Sequence, residues 1–204
     1  MAVITISREL GSDGDRIADL VCEKLGYSRV DKAVLMEIAE ESGVDVEAVR
    51  QLEESFTQRA RLVSDEMTSL YRKQRSAFEG RGVMDEKTYG EVLKETLEEY
   101  AARDNFVVVG RGGQMVLQAW PTALHIRLFA DVKVRAQRIT ERERVSEAQA
   151  LRLVEQSDER KRQYVRHMFN NADWRNLKYY HLAIDTGRIP AEIAAQMIVL
   201  AAKE

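Results

Sequence analysis

Val3-Ile4-Thr5-Ile6-Ser7-Arg8-Glu9-Leu10-Gly11-Ser12-Asp13-Gly14-Asp15-Arg16-Ile17-Ala18 reads as a short buried strand, a glycine-bearing turn and the first turn of an amphipathic helix. This unit can hold a phosphate. Backbone N–H groups of the turn and of the helix N-terminus point at an anion, and the helix dipole favours it. On this reading residues Gly11, Ser12, Asp13, Gly14, Asp15 and Arg16 form the cradle, with Ser12 as an added donor. The same residues also fit a plain strand-to-helix turn in which Asp13 or Ser12 caps the helix. A standard phosphate-binding loop, G-x-x-x-x-G-K-[ST], carries a Lys for the β- and γ-phosphates and a hydroxyl for Mg2+. No Lys follows Gly14 here, so Arg8 or Arg16 must supply the missing charge if the cradle works.

Outward from this unit, 204 residues fit one large domain or a domain with a lid. A 45% hydrophobic fraction fills a core, and 32% charged residues coat it. A net charge of −3 argues against a general nucleic-acid binder. Cys22 is the only cysteine, which excludes a disulfide framework and a cysteine zinc site. His125, His167 and His181 lack metal-ligand spacing, so no protein metal site is expected. No basic leader and no membrane-length apolar run occurs, and the expected setting is reduced and cytoplasmic.

Apolar runs at 3–6, 106–109, 124–129 and 181–184, with a short run at 28–30, predict five strands. Helical patterns separate them. Strands that are apolar throughout and alternate with helices imply a parallel sheet covered on both faces. Residues 17–25 predict a helix that stops at Gly26. Further helices are predicted over 31–42, 45–52, 55–78, 85–103, 131–143 and 146–168, and Pro190 fits the first turn of the last one. Ser146 and Gln149 form a capping-box pattern. The apolar positions of 55–103 suit either an intrachain core or a homodimer face. Charge is uneven: residues 37–99 hold 16 acidic and 9 basic side chains, whereas 133–166 hold 10 basic and 6 acidic.

Two further sites emerge. Val107-Val108-Val109-Gly110-Arg111-Gly112-Gly113 ends a strand in an Arg set among glycines. Ligands of open α/β sheets sit beyond the carboxyl ends of strands, and Arg is a bidentate partner of phosphate. Arg135, Arg138, Arg142 and Arg144 precede Arg160, Lys161, Arg162 and Arg166 on two successive helices. Such a hairpin can serve as a lid that neutralises a transferring phosphoryl group, or can be a solvated Glu/Arg face. Asp31-Lys32, after the second strand, suits contact with an acceptor phosphate or a helix cap.

These motifs resemble the cytidylate kinase-like family, a divergent branch of the P-loop nucleoside-monophosphate kinases. The likeness rests on Ile4-Thr5-Ile6-Ser7-Arg8 with Gly11-Ser12-x-Gly14, on Ile17-Ala18, on Lys24-Leu25-Gly26-Tyr27 and on Asp31-Lys32. It continues in Val107 to Gly112, in Arg138-Ile139-x-x-Arg142-Glu143, in Asp158, Arg160 and Tyr164, in Asp173-Trp174 and in Tyr180-His181-Leu182. The resemblance implies a P-loop NTPase-like three-layer α/β fold with a five-stranded parallel sheet. It implies one kinase-like domain, with a core of 1–31, 104–139 and 168–204, a helical NMP-binding insert over 32–103 and an arginine lid over 140–167. It also implies ATP as donor, Mg2+ as metal, and CMP or a related small nucleotide as acceptor. On it Arg8, Arg138, Arg142, Arg160 and Arg162 become catalytic, and Asp31, Lys32, Arg111 and Asp158 bind substrate. Where the classical enzymes carry the loop Lys and a Tyr-Arg pair, this chain has Gly14, Met36 and Glu37. The divergent branch lacks that Lys too, but its turn looks like Gly-Ser-Gly-Gly-Arg. Two other readings stay open: a nucleotide-binding module without catalysis, and a kinase for a non-nucleotide substrate.

Overall fold

A computed structural model describes residues 3–31 and 86–203. The helices predicted over 31–42, 45–52 and 55–78 lie outside the described residues except for Asp31, as does Lys32. Five strands build the sheet: β1 (Val3–Arg8), β2 (Ser28–Val30), β3 (Phe106–Val109), β4 (Ala123–Phe129) and β5 (Leu182–Asp185). All pair in parallel, in the order β2-β3-β1-β4-β5. The predicted fold class therefore stands. The fifth strand begins and ends one residue later than its apolar run; His181, just before it, donates its N–H to the His125 carbonyl of β4.

Among the described residues the α-helices are α1 (Gly14–Leu25), α2 (Glu86–Arg103), α3 (Gly113–Val116), α4 (Val132–Glu143), α5 (Glu147–Met168) and α6 (Ala191–Ala201). The four residues of α3 and a 3-10 turn at Leu177–Tyr179 are too short to leave a sequence period. Gly26 ends α1 in the left-handed conformation at φ 68, as a C-terminal glycine should. Asp131 caps α4 by accepting from Lys133 N–H at 2.8 Å, and Ser146 and Gln149 close the predicted capping box on α5. Pro190 takes the N-cap of α6, one position earlier than predicted.

Alternation along the strands sorts the two faces. Ile4 and Ile6 of β1, with Val107, Val109, Ile126, Leu128 and Ile184, face α1 and α6 through Ile17, Val21, Ala194 and Ile198. Val3, Val30 and Val108 face the opposite way onto Leu93, Leu97 and Ala101 of α2. A third cluster of Ala136, Ile139, Ala150 and Val154 joins α4 to α5. Three layers thus leave the carboxyl ends of β1 and β3 open toward α5. Among the described residues, no helix is long and apolar enough to cross a membrane.

Candidate active site

The turn from β1 to α1 is built on close approach. Gly11 sits at φ +81, and a Cβ there would stand 2.6 Å from the Arg135 carbonyl oxygen. Gly14 lies beneath Arg8, whose Cβ would stand 2.3 Å from any Cβ at this position. Asp13 occupies the N-cap of α1 at φ 54, the left-handed region where glycine is the usual residue. Its side chain makes no cap hydrogen bond. The Ser12 hydroxyl is buried and donates to the Glu9 carbonyl at 2.7 Å instead. Neither side chain therefore caps α1. Its first-turn N–H groups have no side-chain acceptor from the N-cap residue.

The second turn, after β3, has three successive left-handed residues: Gly110 at φ 82, Arg111 at φ 56 and Gly112 at φ 66. A Cβ on Gly110 would meet the Arg8 guanidinium at 2.4 Å, and one on Gly112 would meet the Phe169 ring at 2.3 Å. Arg8 thus spans both turns, its stem over Gly14 and its head over Gly110. An Asp15 carboxylate oxygen lies 3.5 Å from that head. Burial lowers the Arg8 pKa; Asp15 opposes the drop, and Arg29 and Arg111 add to it.

A cavity of about 490 Å³ opens where the end of β1 and the second turn meet α5, and none of Gly11 to Arg16 is among its lining residues. Four cations line it: Arg8, Arg111, Arg160 and Lys161. The Arg111 guanidinium lies 5.9 Å from the centre of the Tyr164 ring, which also lines the cavity. Lys161 donates to the Arg8 carbonyl, and its ammonium stands 4.7 Å from the centre of the Trp174 ring. Desolvation, then the nearby Arg8 charge, pushes the Lys161 pKa down to about 7.

Behind the cavity runs a buried ion network. Glu9 takes Arg127 at 2.9 Å and Arg135 at 3.3 Å, all three being 7% exposed or less. Arg135 then grips Asp158 through two hydrogen bonds, at 3.1 and 2.9 Å, and Arg175 reaches the same carboxylate at 2.9 Å. Arg127 also lies 4.6 Å from the centre of the Trp174 ring. The network ties the first turn to β4, α4 and α5. Asp158 faces this network, and its carboxylate is already shared by two arginines.

The remaining predicted residues disperse. Arg138 clamps the first turn from outside, donating to the Gly11 carbonyl at 3.2 Å and to the Thr186 carbonyl at 2.7 Å. Arg142 is exposed beside Glu143, and Arg162 is exposed beside Glu159. Arg16 pairs with Glu192 on α6 and is 62% exposed. Asp31 pairs with Arg29 at 3.2 Å, and Arg29 also holds Asp15 and Asp19. Of the predicted set, the cavity gathers Arg8, Arg111 and Arg160. It adds Lys161, which sequence reading left inside a charged run.

A family model built on the cytidylate kinase-like family matches residues 3–188. The chain belongs to the cytidylate kinase-like family. Among solved structures, an uncharacterized protein from Eubacterium ventriosum ATCC 27560 superposes with a TM-score of 0.69 at 21% identity, over 100% of this chain and 99% of that one. A shikimate kinase from Bacteroides thetaiotaomicron gives a TM-score of 0.51 at 13% identity, over 100% and 99%. The YorR protein of Bacillus subtilis, solved in complex with phosphorylated GDP, gives 0.51 at 14% identity, over 98% and 95%. No curated protein matches the chain. At such identities the structures speak for the fold alone, the P-loop kinase fold, and the family membership makes the chain kinase-like.

Proposed function

We propose that the chain is an ATP-dependent phosphotransferase that moves the γ-phosphoryl group to CMP or a related small acceptor. The observation that carries this reading is the four-cation cavity at the carboxyl ends of β1 and β3, beside an α1 N-terminus that no side chain caps. Phosphoryl transfer asks mainly for positioning and charge stabilisation, which this arrangement offers. Gly11 to Arg16 would hold the donor phosphates, with Arg8 standing in for the absent loop Lys. Arg111 would grip the acceptor phosphate and Arg160 the group in flight. Arg138 would act by fixing the Gly11 carbonyl. Arg142 and Arg162 would enter only through movement of 140–167 as a lid, with 32–103 as the acceptor-binding insert.

ATP would meet the first turn at the N-terminus of α1, where the N-cap side chain makes no hydrogen bond. Gly11 and Gly14 serve the turn itself by letting Arg135 and Arg8 pack against it. Mg2+ would come with the nucleotide and offset part of its charge. Asp13 and Asp15 flank the cradle, Asp13 beside Arg138 at 3.6 Å and Asp15 paired with Arg29 and Arg8. Among the described residues, no group of three His, Cys, Asp or Glu is placed to hold a metal ion. Those two carboxylates favour a second reading, a nucleotide-binding module without turnover, because they repel an incoming phosphate. The test is ADP release from ATP and Mg2+ over CMP, dCMP, UMP, AMP, GMP and a no-acceptor control. Acceptor-dependent release is expected. Silence across the panel in folded protein, with ATP still bound, would leave the binding module.

A further inference from the structure

Lys161 stands apart from its neighbours on α5. Arg162 has Glu159, and Asp158 has Arg135 and Arg175. Among the described residues Lys161 makes no ion pair; its hydrogen bond goes to the Arg8 carbonyl and its other face lies on the Trp174 indole. Every element packed around it adds charge. The first strand and turn present Arg8 and Glu9, β4 presents Arg127, α5 itself presents Asp158 and Arg160, and the second turn presents Arg111. Glu9 is held by Arg127 and Arg135, and Asp158 by Arg135 and Arg175; both still raise the Lys161 pKa, but desolvation and the Arg8 charge outweigh them. Among the described residues the cavity lining holds Arg8, Arg111, Arg160 and Lys161 and no carboxylate, while Asp15 lies 3.5 Å from the Arg8 guanidinium.

From this geometry we infer that Lys161, with Arg8, Arg111 and Arg160, forms an oxyanion site in which Lys161 takes up a proton when a tetrahedral dianion of the phosphate class binds. The inference deepens the proposed function, since it rests on the cavity being a phosphate site. A buried lysine with no ion pair and an arginine beside it loses its proton easily, and its pKa, lowered to about 7 by desolvation first and by Arg8 second, agrees with this geometry. A bound dianion places negative charge beside Lys161, which makes no ion pair among the described residues, and restores the proton. Lys161 would then provide, from α5, a lysine that the first turn lacks. Its charge would appear only when there is phosphate to hold.

Sulfate is the probe, because unlike phosphate it does not titrate near neutrality. Its binding is measured by calorimetry near pH 8 in two buffers of unequal ionisation heat, together with Lys161→Arg and Lys161→Met. The wild type should bind with uptake of on the order of one proton, seen as a buffer-dependent heat. Its affinity should fall by up to about tenfold per unit as pH rises above 7. Lys161→Arg keeps a fixed charge and should bind without that buffer dependence. Lys161→Met should bind at least about tenfold more weakly. If the methionine variant fails to fold, the arginine comparison still decides. Equal heats in both buffers for wild type, absent sulfate binding, or unchanged affinity in a folded Lys161→Met protein would each overturn the inference. ADP release is scored separately: proton-coupled binding without turnover overturns only the kinase reading, and turnover without proton uptake overturns only the Lys161 role.

Discussion

Arg111 keeps a left-handed backbone at φ 56 although it has a Cβ, a conformation that costs about 1–2 kcal/mol in a non-glycine residue. Strain of this kind persists where the surroundings impose it, and here both neighbours are glycines that let Arg8 and Phe169 close in. The position offers a separation of strain from chemistry. Arg111→Ala should lower turnover at least ~100-fold, as loss of a charge partner in the transition state commonly does. Arg111→Gly removes the same guanidinium but relieves the backbone, so it should lose as much turnover while melting no lower than wild type. Turnover near wild type in either variant would remove Arg111 from the site. Arg111 was legible in the sequence because glycines surround it. Lys161 was legible only as one of eight basic residues of a possible lid, because Glu159-Arg160-Lys161-Arg162 also looks like a solvated face. The helical spacing of Ser157, Lys161, Tyr164 and Val165, all of which line the cavity, is the signal that separates it from its neighbours.

At the scale of elements, the first turn is fixed less by its own residues than by what lies behind it. Glu9 joins β4 through Arg127 and α4 through Arg135, and Arg135 passes the constraint to α5 through Asp158. Removing one partner of a buried pair leaves uncompensated charge, which costs about 3–5 kcal/mol. Glu9→Gln should therefore lower stability by about that amount, read from the urea midpoint, and should weaken sulfate binding by loosening the seat of Gly11 and Lys161. A folded variant with wild-type stability would show that the network carries no structural charge balance. Strand and helix boundaries came through the sequence well wherever an apolar period ran beside a cap, as at Asp131 and Ser146. The network did not, because Glu9, Arg127 and Arg135 meet across more than a hundred positions of chain. One local signal existed: Arg127 sits between Ile126 and Leu128 in the mostly apolar strand 124–129, where a buried charge needs a partner.

For the whole molecule, apolar strands broken by helices were enough to give the three layers, since parallel strands buried on both faces allow few alternatives. Sequence could not say which polar groups the sheet would enclose. Its central strands β1 and β4 enclose a histidine: the Thr5 hydroxyl and His125 Nδ1 lie 2.8 Å apart, and the His181 ring stacks on His125 at 4.8 Å. Desolvation, and then the proximity of His181, hold the His125 pKa down at about 4. The unfolded chain therefore binds a proton at this residue between pH 6.5 and 4 that the folded protein refuses, so stability falls as pH drops through that window. The loss at pH 5 should be roughly 2 kcal/mol relative to pH 7. Above pH 5 few carboxylates titrate, which isolates the histidine contribution. Urea midpoints at pH 7 and pH 5 measure it, with His125→Leu as the comparison. The leucine variant gives up the Thr5 contact and should be less stable at pH 7 by about 1–2 kcal/mol. It should also lose most of the difference between the two pH values. An equal drop in both proteins would mean that the acid sensitivity of this fold resides elsewhere than at the centre of its sheet.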